Sequence, residues 1–489
     1  MLFDLPFKGE DLKSEERYGQ KKKTHGGGDQ ALGYDLRAYR WDSPNNRWTV
    51  HLAGKDTTTN ESWVVYGKPV YAMSDGIVIK GWRNAPENPG PGEKHPELGK
   101  GIGGGGNHVV IELDDGSLIL YAHMIPGTIP AKLVPHEAKL LPNNDPKQQE
   151  IASAQQAKVK TGEFLGLAGN SGSSSNPHLH VHRVKDGKAQ DLKFRRGLAA
   201  KLTGKNEDQA DINSWVRFAG ERIPAGPTLI WPPRSVRSEY TRHGFPADDF
   251  EGLFDHLADS GYWPKWIDGY SVGGRAFFNF IFTEAPGPWR GFFDQMAADY
   301  QRRFDDAERD DFQPVFVESY LSNGDTRYIA VFQKNRPGRF LARHGLTTNE
   351  HDTELEKAKK ADLNPVCISV VSTQGQRRYT VLYRSDSIGQ WQLKSQVKEN
   401  DYQGIFDDNK AGGRSPGYLQ AYVHDGQAFL STVFSSGAGG AVRARHGLSS
   451  TEFQQEWENA TKAGFATQVV TSFDGARESH RFAGVWRKK

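Results

Sequence analysis

The sequence predicts a chain of mixed class. An all-β N-terminal part is followed by a C-terminal α+β domain of five repeat units, each of about 50 residues. Three observations lead there. Glycine is abundant, 54 of 489 residues, which favours turns and strands over long helices. Short apolar runs bounded by Gly, Asp and Pro fill residues 67–181. The tripeptide Arg-His-Gly recurs at near-equal intervals, at 242–244, 343–345 and 445–447.

A chain this long exceeds what one core serves. The expected division is 1–204, a proline-bearing linker at 205–235 with a short helix near Ile212–Phe218, and 236–489. The net charge of +2 argues for neither nucleic acid nor a membrane surface as partner. No run of about 18 apolar residues signals a membrane span. Met1 to Lys23 has no apolar core of a secretory signal. Cys367 is the single cysteine, so no internal disulfide forms. Its apolar neighbours make it a buried small hydrophobe rather than a nucleophile.

In order along the chain, residues 1–24 are polar, end in Lys21-Lys22-Lys23 and read as a solvated arm. Thr24-His25-Gly26-Gly27-Gly28-Asp29 then opens a glycine turn that reaches Gly33-Tyr34-Asp35-Leu36. A His and an Asp bracketing such a turn can converge on one cation. Residues 37–62 read as an inserted loop or hairpin. Residues 67–79 read as two strands joined at Ser74-Asp75-Gly76. A Pro/Gly-rich loop at 84–106 precedes a clear hairpin, Val109–Leu113 and Ser117–Met124 around Asp114-Asp115-Gly116, with His123 at its end. Residues 126–158 read as a partly helical insertion, and 160–169 return to strand. Then comes Asn176-Pro177-His178-Leu179-His180-Val181-His182. Strand side chains alternate with period two, so His178 and His180 share a face, which suits a metal site.

The order of these pieces resembles the LytM/lysostaphin zinc endopeptidases. It runs His…Asp, Pro-Val-x-Ala-x-x-Asp-Gly, Gly-Asn-His-Val-Val-Ile, Leu-Tyr-Ala-His, Lys-Thr-Gly-Glu-x-Leu-Gly-x-x-Gly and Pro-His-Leu-His, across residues 24–190. The resemblance implies an antiparallel sheet with a narrow zinc groove and cleavage of peptide bonds in bacterial peptidoglycan. It implies His180 and Asp35 as zinc ligands, with His178 and His123 as the catalytic histidines beside the reacting water and the oxyanion. The family's first ligand, a His four residues before the Asp, is replaced here by Ala31. Two pairings stand open: His25 with Asp35 across a longer loop, or His25 with Asp29 at the usual spacing. The strand entry at Gly33-Tyr34-Asp35-Leu36 favours Asp35, giving His25, Asp35 and His180 as the ligand set for Zn2+. His182 reads as supporting.

In the second half, turn-centred hairpins recur at Gly273-Gly274, Asn323-Gly324, Gln374-Gly375, Asp425-Gly426 and Asp474-Gly475. Each unit reads as strand, helix, hairpin. Ser449 and Glu452 open one helix, with Phe453 and Trp457 on one face. Each unit is too small to bury its own apolar face, so the five stack into a ring (propeller-like) or a solenoid. The Arg-His-Gly sites read as strand-to-helix corners rather than a second active site. The units resemble a bacterial tandem-repeat accessory module.

The expected function is a secreted or cell-envelope zinc endopeptidase acting on peptidoglycan or another glycine-containing peptide, with the repeats docking or positioning it. The other readings are a LytM-like binding or regulatory protein that has lost its zinc, and a repeat ring whose own protein or glycan binding is the main function.

Overall fold

The computed structural model describes every residue except 14, 22–26, 142–144, 211–214, 235–238, 438, 476–478 and 489. The chain divides into two compact units, Met1–Ser235 with Gly252–Ser260, and Val236–Glu251 with Gly261–Lys489.

The first unit is built on a 12-stranded sheet. Through its middle the neighbours run Glu16–Gln20, Tyr34–Asp42, Leu179–Lys185, Leu118–Met124, Asn107–Glu112 and Gly76–Trp82, paired antiparallel. Period-two alternation sorts these strands into two faces. Tyr34, Leu36, Ile119, Tyr121, Leu179 and Val181 point into one buried apolar core. Asp35 and Arg37, His180 and His182, Leu120 and Ala122 alternate with them and belong to the opposite face.

Three sequence expectations change. Residues 1–21 are no solvated arm: Phe3, Phe7 and Tyr18 are buried, Phe7 stacks on Tyr18 at 4.2 Å between centroids, and Glu16–Gln20 is a sheet strand. Part of the stretch read as linker is also sheet, through Val216–Phe218 and Thr228–Trp231. The helix expected there meets strand at 216–218, and its start lies outside the described residues. The insertion at 126–158 holds two 3-10 turns, Pro146–Gln149 and Ser153–Gln155, and no α-helix among the described residues.

The second unit consists of five three-stranded sheets. In each, a strand and a helix precede a hairpin, and the second hairpin strand lies in the middle, as with Trp289–Gln295, Asp325–Lys334 and Phe312–Ser322. The first hairpin strands, Tyr262–Val272, Phe312–Ser322, Asn364–Thr373, Ser415–His424 and Phe465–Gly475, neighbour one another in turn. The last returns to the first: Trp266 Nε1–H donates to Val470 O at 2.8 Å, and Asp268 accepts from Thr471 Oγ1–H at 2.7 Å and Ser472 N–H at 3.2 Å. The units therefore close into a ring rather than an open solenoid.

A polar layer runs round this ring. Ser369 accepts from Ser319 N–H, Gln420 from Val370 N–H and Thr471 from Ala421 N–H, as Asp268 does from Ser472. Glu318 holds the same place in its unit. It is fully buried, and neither carboxyl oxygen has a hydrogen-bond partner among the described residues.

The Arg-His-Gly sites prove to be β-bulges that latch successive units. Register breaks fall between Arg242 and Phe245, Arg343 and Leu346, and Arg445 and Leu448. The glycines take the left-handed φ that a bulge needs: 64° at Gly244, 68° at Gly345 and 70° at Gly447. Each His then packs on an aromatic near the start of the preceding unit's helix: His344 on Tyr300, His446 on Tyr402, and His243, across the closure, on Phe453. The Ser449/Glu452 capping box forms as expected, and Phe453 is fully buried against Phe482 and Trp486.

Candidate active site

Register assembles the site. His180 lies opposite Asp35 on one neighbouring strand and opposite Ala122 on the other. His180 Nδ1 is 2.9 Å from Asp35 Oδ1, and His178 Nε2 is 3.4 Å from the same oxygen. On its far side His180 Nε2 meets His182 Nδ1 at 2.8 Å, so His182 fixes the His180 ring.

His123 reaches the same face by breaking the alternation. Tyr121, two residues earlier, points into the core. At His123 the backbone turns left-handed, φ 71°, and carries the imidazole over to the groove. For a residue with a Cβ this conformation costs of order 1–3 kcal/mol. It is held by His123 N–H to Gly105 O and by Gly169 N–H to His123 O, both 3.0 Å. The His123 ring stands 4.8 Å from that of His178 and 5.9 Å from that of His180, between centroids.

Two backbone carbonyls set the tautomers. His123 Nδ1–H donates to Ser171 O and His178 Nδ1–H to Asn176 O, each at 2.8 Å. A carbonyl only accepts, so Nδ1 carries the proton in both rings; His178 Nε2 lies against Asp35 Oδ1, and a neutral His123 keeps Nε2 as an acceptor. Burial, reinforced by His178 and His180, pushes His123 well below the ordinary imidazole value and keeps it neutral.

Those carbonyls sit on the loop 170–176, which is pinned from distant parts of the chain. Asn88 Nδ2 donates to Gly172 O and Ser174 O, Asn170 Nδ2 to Asn60 Oδ1, and Asn107 N–H to Ser171 Oγ. The Gly103–Gly106 run has its reason here. Gly106, at φ 56°, lies so close to Ser171 that a Cβ on it would come within 2.5 Å. Sequence reasoning missed Asn60, Asn88 and Arg37, because no local pattern marks them.

The groove has a volume of about 490 Å3 and is lined by Asp35, Arg37, His123, His178, His180 and the Gly104–Gly105 backbone, among others. Of the residues singled out from sequence, Asp35, His123, His178 and His180 come together. His25 lies outside the described residues, and Asp29 is exposed on the 3-10 turn Gly28–Gln30. Among the described residues, no group of three or more His, Cys, Asp or Glu is arranged to hold a metal ion. Asp35 Oδ1 and His180 Nδ1 nonetheless supply a facing carboxylate and imidazole, the donor chemistry zinc takes. Lys21 and Gln30 line the same groove.

This chain is similar to the catalytic domain of the prophage-encoded M23 protein EnpA from Enterococcus faecalis, in a point-mutant form, with 19% identity, 37% of this chain and 91% of that one covered, and a TM-score of 0.19. It is similar also to the catalytic domain of the antimicrobial peptidase lysostaphin from Staphylococcus simulans, with 21% identity, 37% and 90% covered, and a TM-score of 0.18. A zinc containing peptidase from Vibrio cholerae is 18% identical, with 32% and 48% covered and a TM-score of 0.16. No curated protein matches the chain. By its second half the chain belongs to the family described as polyglycine hydrolase-like, structural repeat. The family model matches 237–285, 286–335, 338–385, 388–436 and 439–489, together half of the sequence.

Proposed function

We propose that this chain is a zinc-dependent endopeptidase that hydrolyses peptide bonds in bacterial cell-wall peptidoglycan, with the repeat ring docking or positioning it. The observation that carries this reading is the convergence of Asp35, His180, His178 and His123 on one groove, with both catalytic imidazoles fixed by backbone carbonyls. Asp35, His180 and His25 are the residues that would hold the metal. Bound zinc supplies Lewis acidity toward the scissile carbonyl and lowers the pKa of water.

The chain's own residues do the rest. His182 orients His180. The Nε2 atoms of His178 and His123 face the groove: one takes the proton of the attacking water and returns it to the departing amine, and the other, carrying on Nε2 a proton taken from solvent, donates that N–H to the oxyanion and keeps the proton. A peptide running as an extended strand suits a groove floored by strands. The site of action is the cell envelope or beyond it.

A second reading, a LytM-like binding protein without zinc, is favoured by Ala31 at the usual ligand position. Elemental analysis of the purified chain, with release of fragments from purified sacculi with and without chelator, separates the two. About one zinc per chain and chelator-sensitive release are expected. No metal and no release would leave the binding reading. His25→Ala is expected to lose the metal while Asp29→Ala keeps it.

A further inference from the structure

Arg37 stands two residues after Asp35 on the same strand, so period-two alternation puts both side chains on the groove face. Arg37 lines the groove together with His123, His178 and His180. Its guanidinium is held in place: Nη2–H donates to Asn176 Oδ1 at 2.7 Å, and Cζ lies over the Trp63 ring at 5.5 Å. Asn176 is also the residue whose carbonyl fixes His178, so the guanidinium is tied to the catalytic loop.

What the guanidinium lacks, among the described residues, is an acid in hydrogen-bond contact. Among the described residues the Asn176 bond is its one polar partner, and Nε is buried with none. Burial works against its charged form, offset in part by Tyr39 and Asp35 acting through space. Asp35 is the one acid among the lining residues, and it faces His180 and His178. Lys21 adds a second cation to the same groove. A desolvated guanidinium with free donors and no carboxylate bonded to it is costly unless an anion completes it, and a carboxylate matches its planar fork.

We propose that Arg37 is a specificity-determining residue that binds a carboxylate of the substrate, so that the preferred peptide carries a free or side-chain carboxylate close to the scissile bond. This rests on the endopeptidase reading and sharpens it: an acidic stem peptide fits the groove better than an uncharged glycine bridge.

The test uses the full chain with two synthetic peptides that differ in one group, a carboxylate against its carboxamide. Cleavage is measured as kcat and KM, and binding by calorimetry. Wild type is expected to cut and bind the carboxylate peptide about 10-fold better or more. Arg37→Gln is expected to abolish that preference, by raising KM for the carboxylate peptide. Arg37→Lys, which keeps the charge and loses the fork, is expected to keep part of it. Because the wild-type comparison needs no variant, the test stands even if Arg37→Gln fails to fold.

Cleavage of both peptides with equal kcat/KM overturns the Arg37 assignment and leaves the endopeptidase reading intact. Arg37-dependent binding of the carboxylate peptide without any cleavage supports the assignment and counts against the endopeptidase. Equal lowering of kcat for both peptides in Arg37→Gln also overturns it, because that is a merely structural role.

Discussion

His180 and His182 share one face of the strand Leu179–Lys185 and His178 stands just before it, yet the three have different partners. His178 has its Nδ1–H tied to a carbonyl, His180 has Nδ1 against Asp35, and His182 has Nδ1 against His180. These partners separate their expected mutant behaviour. His178→Ala and His123→Ala should keep bound zinc and lower kcat by about 10²–10⁴, the range of a lost general acid–base group. His180→Ala and Asp35→Ala should lose the metal itself. His182→Ala should keep the fold and weaken zinc affinity about 10–100-fold, since it only holds a ligand ring. Zinc titration against a chromogenic competitor, alongside kcat, reads all five. Equal metal loss in His178→Ala and His180→Ala would contradict the division of roles.

At the scale of elements, the site depends on two glycine-bearing loops that touch back to back. Gly172, at φ 74°, lies against Gly106, and the carbonyl that orients His123 comes from Ser171 beside it. Gly172→Ala should therefore lower kcat by at least about 10-fold through misplacement of His123 and His178, with zinc retained. Kinetics paired with metal analysis check this, and unaltered kcat would show the loop to be slack. Strand alternation explains why so much of the site was legible in the sequence. His178 and His180 share a face by period two, and Asp35 joins them through antiparallel register. His123 was found by its motif, but its left-handed turn is visible only in three dimensions. Asn60, Asn88 and Arg37 carry no local signal, because their partners on the loop 170–176 lie 80 or more residues away. The N-terminal strand was hidden by charge: Glu16 is buried against Lys68, a pairing composition reads as solvated. The repeats were legible because a recurring hairpin and a recurring Arg-His-Gly survive as periodicity. Ring closure was not, since it rests on contacts between the first and last units.

Across the whole repeat unit, one polar position distinguishes the five blades. Gln420 makes two bonds to Val370, while Glu318 at the corresponding place makes none. Glu318→Gln should reproduce the Gln420 pair and stabilise the ring by about 1 kcal/mol, seen as a higher denaturant midpoint at unchanged slope. Destabilisation would mean that the acid itself is needed. The same layer sets a pH dependence. Burial pushes the Asp268 carboxyl up to about 8, and burial together with the Asp268 charge pushes Glu318 well above its usual range. The unfolded carboxyl titrates near about 4, so between the two values the folded ring holds protons that the unfolded chain has released. The stability these protons contribute is full below about pH 4 and is lost as pH rises through about 8. Thermal unfolding should thus move to lower temperature from about pH 5.5 to about pH 8.5, and less so in Asp268→Asn. An upward move that Asp268→Asn leaves unaltered would contradict it.

The proposed zinc, held by Asp35, His180 and His25 and used by the groove residues to cut cell-wall peptide, is tested by peptide release from purified sacculi by metal-stripped chain, titrated with zinc. No release is expected from the stripped chain, and full release at about one zinc per chain. None is expected at any zinc level for Asp35→Ala. Release that is indifferent to stripping, or that survives Asp35→Ala, would contradict it.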